Sequence, residues 1–240
     1  HVDCPKDIQI TTFTEEHMKI KELDIDGVNH ELKDGILPLN ELTKLPPLDS
    51  KQMDDIVNLI NKSERPILYV GQGVNDCPNE LLEFVEKTNI PVTTTLHALG
   101  AFDERHPLAL NMIGMHGHPS ANYMIQKADL VLAFGSRFDD RTVGKLASYA
   151  PNAREAESMG KGGFVHVDIR PTEKDRVVKV TEFVNSDCKT FLRELNGKRF
   201  EERQRPDWLK MMKGFKEKYP ITIPTFADGS LSVQKVIEEM

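Results

Sequence analysis

The stretch ADLVLAFGSRFDDRTVGK, residues 128–145, decides the fold. Within it a short apolar run, residues 130–134, ends at Gly135 and leads into a loop that carries two arginines and two aspartates. Bounded apolar runs of this length are typical of a buried strand with helices on both faces of its sheet. In open parallel α/β sheets, ligands bind beyond the carboxyl ends of the strands. The loop is therefore either a site for a large anionic cofactor or a solvated turn with local ion pairs, and its spacing alone leaves both open.

The composition is that of a globular protein large enough to bury a core, with 240 residues, 39% hydrophobic and 29% charged. The net charge of −7 argues against nucleic acid and against an anionic membrane surface as partners. No apolar run approaches the roughly 20 residues that span a bilayer. The three cysteines, Cys4, Cys77 and Cys188, lie far apart, which favours a reducing compartment and excludes a cysteine-based zinc site.

Helical and strand patterns alternate along the middle of the chain. The apolar stripe Met53, Ile56, Val57 and Ile60 predicts a helix that begins at Asp49 or Ser50. Further helices are predicted at 79–87, 120–127, 144–149 and 190–195, and strands at 67–70, 91–96, 130–134, 164–169 and 182–184, whereas 97–110 is irregular. This alternation predicts an α/β fold with a doubly wound, mainly parallel sheet of five to six strands and extended linkers at both ends.

Three parts are predicted from the changes in composition. Residues 1–48 form the first part, in which residues 20–47 have the composition of a linker, with Leu37, Leu39, Leu42 and Leu45 spaced among charges, glycines and prolines. Residues 49–198 form the ordered α/β domain, and residues 199–240 begin with a charged run and end in an amphipathic helix. The first residues, HVDCPKD, are typical of a strand end running into a turn, so we expect the chain to be a fragment.

The common catalytic motifs are weak or incomplete in this sequence. Gly71-x-Gly73 lacks the third glycine of a dinucleotide fingerprint and the acidic residue about 20 positions later, which disfavours NAD but leaves backbone contact with a phosphate open. His116-Gly117-His118 has no third ligand nearby, so no metal site is predicted. His166, in the middle of a strand, is expected to be a core imidazole. Asp168 ends that strand, where it either accepts bonds from a ribose or holds a turn, and the sequence leaves both open.

Several segments, taken together and in order, resemble the central domain of the catalytic subunit of acetolactate synthase (acetohydroxyacid synthase), a thiamine-diphosphate enzyme family that carries FAD. The segments are RPILYVGQG (65–73), IPVTTTLHALGAFDERHP (90–107), IGMHGHPSANY (113–123), ADLVLAFGSRFDDRTVGK (128–145) and FVHVDIRPTE (164–173). GMHG and RFDDR are the most diagnostic of these motifs. The resemblance implies that residues 1–48 end a pyrimidine-binding domain and that residues 199–240 lead into a pyrophosphate-binding domain.

The resemblance also implies which residues contact FAD, a cofactor that is largely structural in this family. Carried over motif by motif, these are Gly71, Gln72, Gly73, Thr95, Leu96, Ile113, Gly114, Met115, His116, Gly135, Arg137, Asp139, Arg141, Asp168, Ile169 and Asp187. Met115, Asp140 and Arg141 are implied to line the substrate channel, with Arg141 meeting the carboxylate of the acceptor. The contact at Asp187 is the least secure, because Ser186 and Cys188 replace the family's small residues beside it.

Enzymes of this family condense pyruvate with a second 2-ketoacid, pyruvate or 2-ketobutyrate, with loss of CO₂, for branched-chain amino acid synthesis. Their activating glutamate and their motif for Mg²⁺ and thiamine diphosphate do not occur in this sequence, so the fragment alone is expected to be inactive. The resemblance implies a homodimer or tetramer with a possible regulatory subunit. The segment at 152–163 resembles fungal members, which implies a mitochondrial enzyme. The alternatives are a cytoplasmic or a plastid enzyme, and a secreted one is not expected.

Two other functions remain as alternatives at this stage. One is a stand-alone flavin or adenine-nucleotide binding module that performs no chemistry itself. The other is a related thiamine-diphosphate carboligase or oxidase, in which the flavin is redox-active.

Overall fold

A single parallel sheet organises the part of the chain that the computed structural model describes, residues 45–240. The predictions for residues 1–44, including those for Leu37, Leu39, Leu42 and Cys4, lie outside that range. The six strands are β1 Pro66–Val70, β2 Val92–Thr94, β3 Ala109–Met112, β4 Leu130–Phe134, β5 Gly163–Asp168 and β6 Glu182–Asn185. They are all parallel and lie in the order β3-β2-β1-β4-β5-β6. The predicted doubly wound α/β fold is confirmed.

Helices alternate with these strands along the chain. They are α1 Ser50–Lys62, α2 Pro78–Thr88, α3 Pro119–Lys127, α4 Asp140–Val143, α5 Pro151–Ser158, α6 Cys188–Asn196, α7 Pro206–Lys218 and α8 Val233–Glu238. Asp49 caps α1 by accepting a hydrogen bond from the Lys51 N–H at 2.9 Å, as its position before the apolar stripe predicts. Helix α2 packs against α6, and α3 packs against α5 and α7.

Three local predictions were wrong. Residues 109–112 form the edge strand β3, which begins inside the segment 97–110 that was predicted to be irregular. It was missed because its sequence ALNM has few of the β-branched residues that favour strands. The helix predicted at 144–149 is replaced by α4 and a short 3₁₀ turn, Leu146–Ser148. In the helix predicted at 79–87, the apolar residues Leu81, Leu82, Phe84 and Val85 are all expected to face inward. Leu82 is instead 38% exposed, because the buried face of α2 follows the other three.

The core is centred on β1 and β4, in which every residue is buried. Buried strands of this kind read as continuous apolar runs because helices cover both faces of the sheet. Phe134, at the end of β4, contacts the ring of Phe84 from α2 and the ring of Phe191 from α6, with centroids 6.0 and 5.2 Å away. These packed rings hold the carboxyl end of β4 in place, which is where the following loop begins.

The C-terminal part of the chain returns to the amino ends of the strands. Arg205, 8% exposed, donates hydrogen bonds to the backbone carbonyls of Ile60, Ser63 and Thr88 at 2.8–3.1 Å. The Trp208 indole N–H donates to the carbonyl of Pro66 at 2.8 Å. Arg205 and Trp208 therefore tie α7 to the ends of α1 and α2 and to the start of β1.

The last helix, α8, is the predicted amphipathic helix, and its apolar residues Val233, Val236 and Ile237 are exposed. Within residues 45–240, none of the helices combines the length and the apolar character that crossing a membrane requires.

Candidate functional site

The loops after β1 and β4 meet at the point where the strand order reverses direction. In doubly wound sheets this switch point forms a crevice beyond the carboxyl ends of the strands. The two loops are joined by backbone hydrogen bonds, in which the Gly71 N–H donates to Phe134 O at 2.9 Å and the Gly73 N–H donates to Gly135 O at 3.1 Å. The Gly135 N–H in turn donates to Val167 O of β5 at 2.8 Å. Three strand ends are thus fixed beside one another.

Glycine is required for this close approach. A Cβ atom on Gly71 would lie 2.3 Å from Gly135 O, and one on Gly135 would lie 2.5 Å from the Cα atom of Gly73. Gly135 also has a φ of +57°, a backbone conformation that glycine adopts without penalty. The two loops can therefore cross only because these positions have no side chains.

A cavity of about 480 Å³ opens above the crossing loops. Its volume falls within the range of about 300–1,000 Å³ that is typical of small-molecule sites. Ten of the predicted cofactor residues line it: Gly71, Gln72, Gly73, Thr95, Gly135, Arg137, Asp139, Asp168, Ile169 and Asp187. They follow β1, β2, β4, β5 and β6, so the shared edge of the sheet brings them together.

The carboxylates of the cavity also have local structural roles. Asp139 and Asp187 cap α4 and α6 by accepting from the N–H groups of Thr142 and Thr190, at 2.9 and 3.0 Å. Asp168, 6% exposed, accepts from the Arg170 N–H at 2.8 Å. Asp168 therefore holds a turn after β5, as one of its two predicted roles requires, and it also lines the cavity.

His166 is a core imidazole, as predicted, and is 1% exposed. Its Nε2 atom lies 2.9 Å from the carbonyl oxygen of Ser136, the residue after Gly135. Burial lowers the pKa of His166, although the nearby carboxylate of Asp168 opposes that shift. A neutral ring that donates through Nε2 fits this environment, and it steadies the loop after β4.

The other six predicted cofactor residues lie outside this cavity. They are Leu96, Ile113, Gly114, Met115, His116 and Arg141. Met115 and Arg141 contact each other, since the Met115 N–H donates to Arg141 O at 2.8 Å and an Arg141 guanidinium nitrogen lies 3.6 Å from the Met115 sulfur. Both side chains are exposed. We call these two residues the Met115–Arg141 pair. Asp140, the third predicted channel residue, begins α4 immediately before Arg141.

The cavity has six further lining residues that were not among the predicted contacts: Asp76, His97, Ser136, Arg170, Ser186 and Cys188. Ser136 and Arg170 each lie next to a predicted residue, so extending the strand-end motifs by one position would have included both. Cys188, 3% exposed, is a packing residue whose sulfur would lie 2.9 Å from a Cβ on Gly135. Burial raises the pKa of its thiol, which keeps it unreactive.

The two histidines beside Gly117 do not act as a pair. His118 caps α3, because its Nδ1 atom accepts from the Ser120 N–H at 3.3 Å, whereas His116 is exposed. Among residues 45–240, no group of three or more histidine, cysteine, aspartate or glutamate side chains is arranged to hold a metal ion.

Comparisons with known proteins identify the relatives of this sequence. The family described as "Thiamine pyrophosphate enzyme, central domain" matches residues 53–195. The whole chain is 37% identical to the mitochondrial acetolactate synthase of Schizosaccharomyces pombe and covers 35% of that protein. It is 38% identical over 85% of its length to the mitochondrial acetolactate synthase catalytic subunit of Saccharomyces cerevisiae, covering 31% of it. Over 95% of its length it is 32% identical to the acetolactate synthase isozyme 1 large subunit of Escherichia coli, covering 35% of it. The chain thus spans about a third of the length of these relatives.

Proposed function

Because this chain belongs to the family of thiamine pyrophosphate enzyme central domains, we propose that it binds FAD as the central part of an acetolactate synthase catalytic subunit. The observation that carries the proposal is the cavity at the switch point, where glycine-containing loops, an arginine and a buried carboxylate lie on one edge of the sheet. The similarity to acetolactate synthases of yeasts and a bacterium supports the choice of activity.

The lining of the cavity fits a dinucleotide. Gly71 and Gly73 line the cavity without side chains, so a pyrophosphate can approach the backbone closely there. Arg137 brings a guanidinium, whose planar fork matches phosphate oxygens in a bidentate geometry. Asp168 ends β5 and Ile169 follows it, at a position where a carboxylate accepts hydrogen bonds from ribose hydroxyls, and we assign both to the adenosine end.

The residues outside the cavity complete the proposed site. We assign Leu96, Ile113, Gly114 and His116 to the part of FAD that extends beyond the cavity, and the Met115–Arg141 pair to both the cofactor and the substrate channel. In this family FAD has a largely structural part in the main reaction. Thiamine diphosphate and Mg²⁺ are proposed to bind to other parts of the catalytic subunit, and pyruvate and 2-ketobutyrate are its proposed substrates.

Release of FAD from the purified chain tests the cofactor proposal. After denaturation, we expect FAD in the supernatant, identified by fluorescence and chromatography. If the purified chain carries none, added FAD is expected to bind with quenching of its fluorescence, and ADP is expected to compete because it shares the adenosine and pyrophosphate. A folded chain that neither releases nor binds FAD contradicts the proposal.

Arg141→Ala tests the channel proposal in a complete catalytic subunit that contains this chain. We expect the KM for the acceptor ketoacid to rise at least about tenfold, because a charge-assisted bidentate bond to its carboxylate is lost. Arg141→Lys keeps the charge but not the fork, so it should restore only part of the affinity. An unchanged KM for the acceptor, measured from acetolactate formation, would exclude this role. Reduction of the flavin in step with turnover of pyruvate would favour the oxidase alternative.

The organisation of the whole protein is also a proposal. We propose that residues 1–48 end a pyrimidine-binding domain and that residues 199–240 lead into a pyrophosphate-binding domain. On the same family assignment we propose assembly into a homodimer or tetramer, with a regulatory subunit as a further partner. The similarity to mitochondrial proteins of two yeasts supports a mitochondrial location.

A further inference from the structure

We propose that Asn122 is a positioning residue, which holds Gly114 and thereby sets the spacing of the Met115–Arg141 pair. The expected effect of Asn122 on FAD binding rests on the proposed function, whereas its expected effect on the loop after β3 does not. Asn122 is half-buried on α3 and does not line the cavity, so it acts through the backbone that it binds.

The side-chain amide of Asn122 binds both backbone groups of one residue. Its Oδ1 atom accepts from the Gly114 N–H at 3.0 Å, and its Nδ2 atom donates to the Gly114 carbonyl at 2.9 Å. A pair of opposed bonds of this kind resembles the pairing of neighbouring strands, although one partner here is a side chain. Asparagine is suited to it because its amide carries a donor and an acceptor side by side.

Gly114 transmits this restraint to Arg141. Its φ is +111°, which a residue with a side chain rarely adopts, and a Cβ atom on it would lie 3.0 Å from Arg141 O. The next residue, Met115, donates its N–H to the same Arg141 oxygen at 2.8 Å. A displacement of Gly114 therefore moves the hydrogen bond that joins the two loops.

The loop has little room to relax in other ways. The Gly117 N–H donates to Gly114 O at 2.9 Å, and a Cβ atom on Gly117 would lie 2.4 Å from Met112 O. Both glycines of the GMHG motif thus serve a tight turn after β3, and Asn122 holds that turn from outside.

Helix α3, which carries Asn122, is held in place by packing on two sides. Its residues Ala121, Met124 and Ile125 are buried in the core. On the outer side the ring of Tyr123 stacks on Phe215 of α7, with centroids 5.2 Å apart and an interplanar angle of 8°. Because α3 is held on two sides, its asparagine can restrain the loop rather than follow it.

Hydrogen exchange on the chain tests the restraint directly. In Asn122→Leu, which keeps a similar size but removes both bonds, we expect the Gly114 and Met115 amides to exchange at least about tenfold faster. The amides of β4 should be unchanged, which separates a local effect from general destabilisation. Asn152→Leu is the matched control, since Asn152 is also half-buried and donates through its amide to Gln126 O at 3.2 Å, a bond that α3 makes to α5 and not to the loop after β3.

Asn122→Asp distinguishes hydrogen bonding by Asn122 from a role in filling space, because aspartate has nearly the same size. Near neutral pH an ionised aspartate accepts from the Gly114 N–H but cannot donate to the carbonyl, so protection at Met115 should fall. Near pH 4 the protonated acid regains a donor, and protection relative to the wild type at the same pH should recover. Unchanged exchange at Gly114 and Met115 in Asn122→Leu, or an equal effect of Asn152→Leu on these amides, would overturn the proposal.

FAD titration of the same variants tests the effect of Asn122 on cofactor binding. We expect FAD to bind about three- to tenfold more weakly to Asn122→Leu than to the wild type or to Asn152→Leu. Wild-type chain that binds no FAD would overturn the proposed function, while the exchange data would still decide the role of Asn122. Equal affinity of Asn122→Leu and wild type would overturn the link between Asn122 and the cofactor.

Discussion

Gly135→Ala is expected to abolish FAD binding and to lower the free energy of unfolding by about 2–4 kcal/mol. A Cβ atom there would lie 2.5 Å from the Cα atom of Gly73 and 2.9 Å from the sulfur of Cys188, so the crossing loops must separate. The positive φ of +57° adds the backbone penalty of a left-handed conformation. Urea unfolding and FAD titration of the folded variant measure the two effects.

Gly160→Ala is the matched control for this substitution. Gly160 has a φ of +64°, but a Cβ atom on it would meet no atom within 4 Å. Gly160→Ala therefore carries the backbone penalty alone, about 1 kcal/mol, and should keep its affinity for FAD. If the two variants lost equal stability and both bound FAD, the close approach of the loops would not be what builds the cavity.

Arg205→Met is expected to lower the free energy of unfolding by about 3 kcal/mol or more without changing the FAD affinity of the folded chain. Arg205 is 8% exposed and donates to the carbonyls of Ile60, Ser63 and Thr88. Methionine fills much of the same space but leaves the carbonyls of Ile60 and Thr88 without a donor, at about 1–3 kcal/mol for each. The Ser63 carbonyl keeps only the longer bond from Arg203, at 3.5 Å. Burial and the nearby positive charge of Arg203 lower the pKa of Arg205. Part of the free energy gained from its hydrogen bonds therefore compensates for removing its charge from water.

Arg199→Met provides the comparison for Arg205→Met in chemical denaturation. Arg199 is exposed, so its substitution should change the free energy of unfolding by no more than about 0.5 kcal/mol. A similarly small change in the free energy of unfolding of Arg205→Met would show that water donates hydrogen bonds to the three carbonyls in place of Arg205. Weaker FAD binding by folded Arg205→Met would show that the amino and carboxyl ends of the strands are coupled.

Strands in which every residue is buried were predicted well from the sequence, whereas the partly buried edge strand β3 was not predicted. The apolar run before Gly135 identified β4, because a central parallel strand needs apolar side chains on both faces. The edge strand β3 lacks that requirement, and its residues Asn111 and Met112 are only partly buried. Its pairing with β2 depends on tertiary contacts that no local pattern records.

The candidate site was predictable to the extent that it depends on strand ends. Residues that follow β1, β4, β5 and β6 share one edge of the sheet, so locating the strands also located the cavity. Distances between loops were not predictable in this way. The contact of Met115 with Arg141 and the hold of Asn122 on Gly114 depend on how β3 and α3 are placed, and the sequence spacing of these residues does not encode it.

The bonds from Arg205 and Trp208 have a consequence for the order in which the protein is made. They join residues 142 positions apart, Arg205 to Ser63 and Trp208 to Pro66. Contacts over such separations form late, because a long loop must close before they contribute. As a ribosome extends the chain, all six strands emerge before residue 205, so the sheet is complete in sequence while the ends of α1 and α2 still lack their donors. The nascent domain reaches its full stability only when α7 has left the exit tunnel.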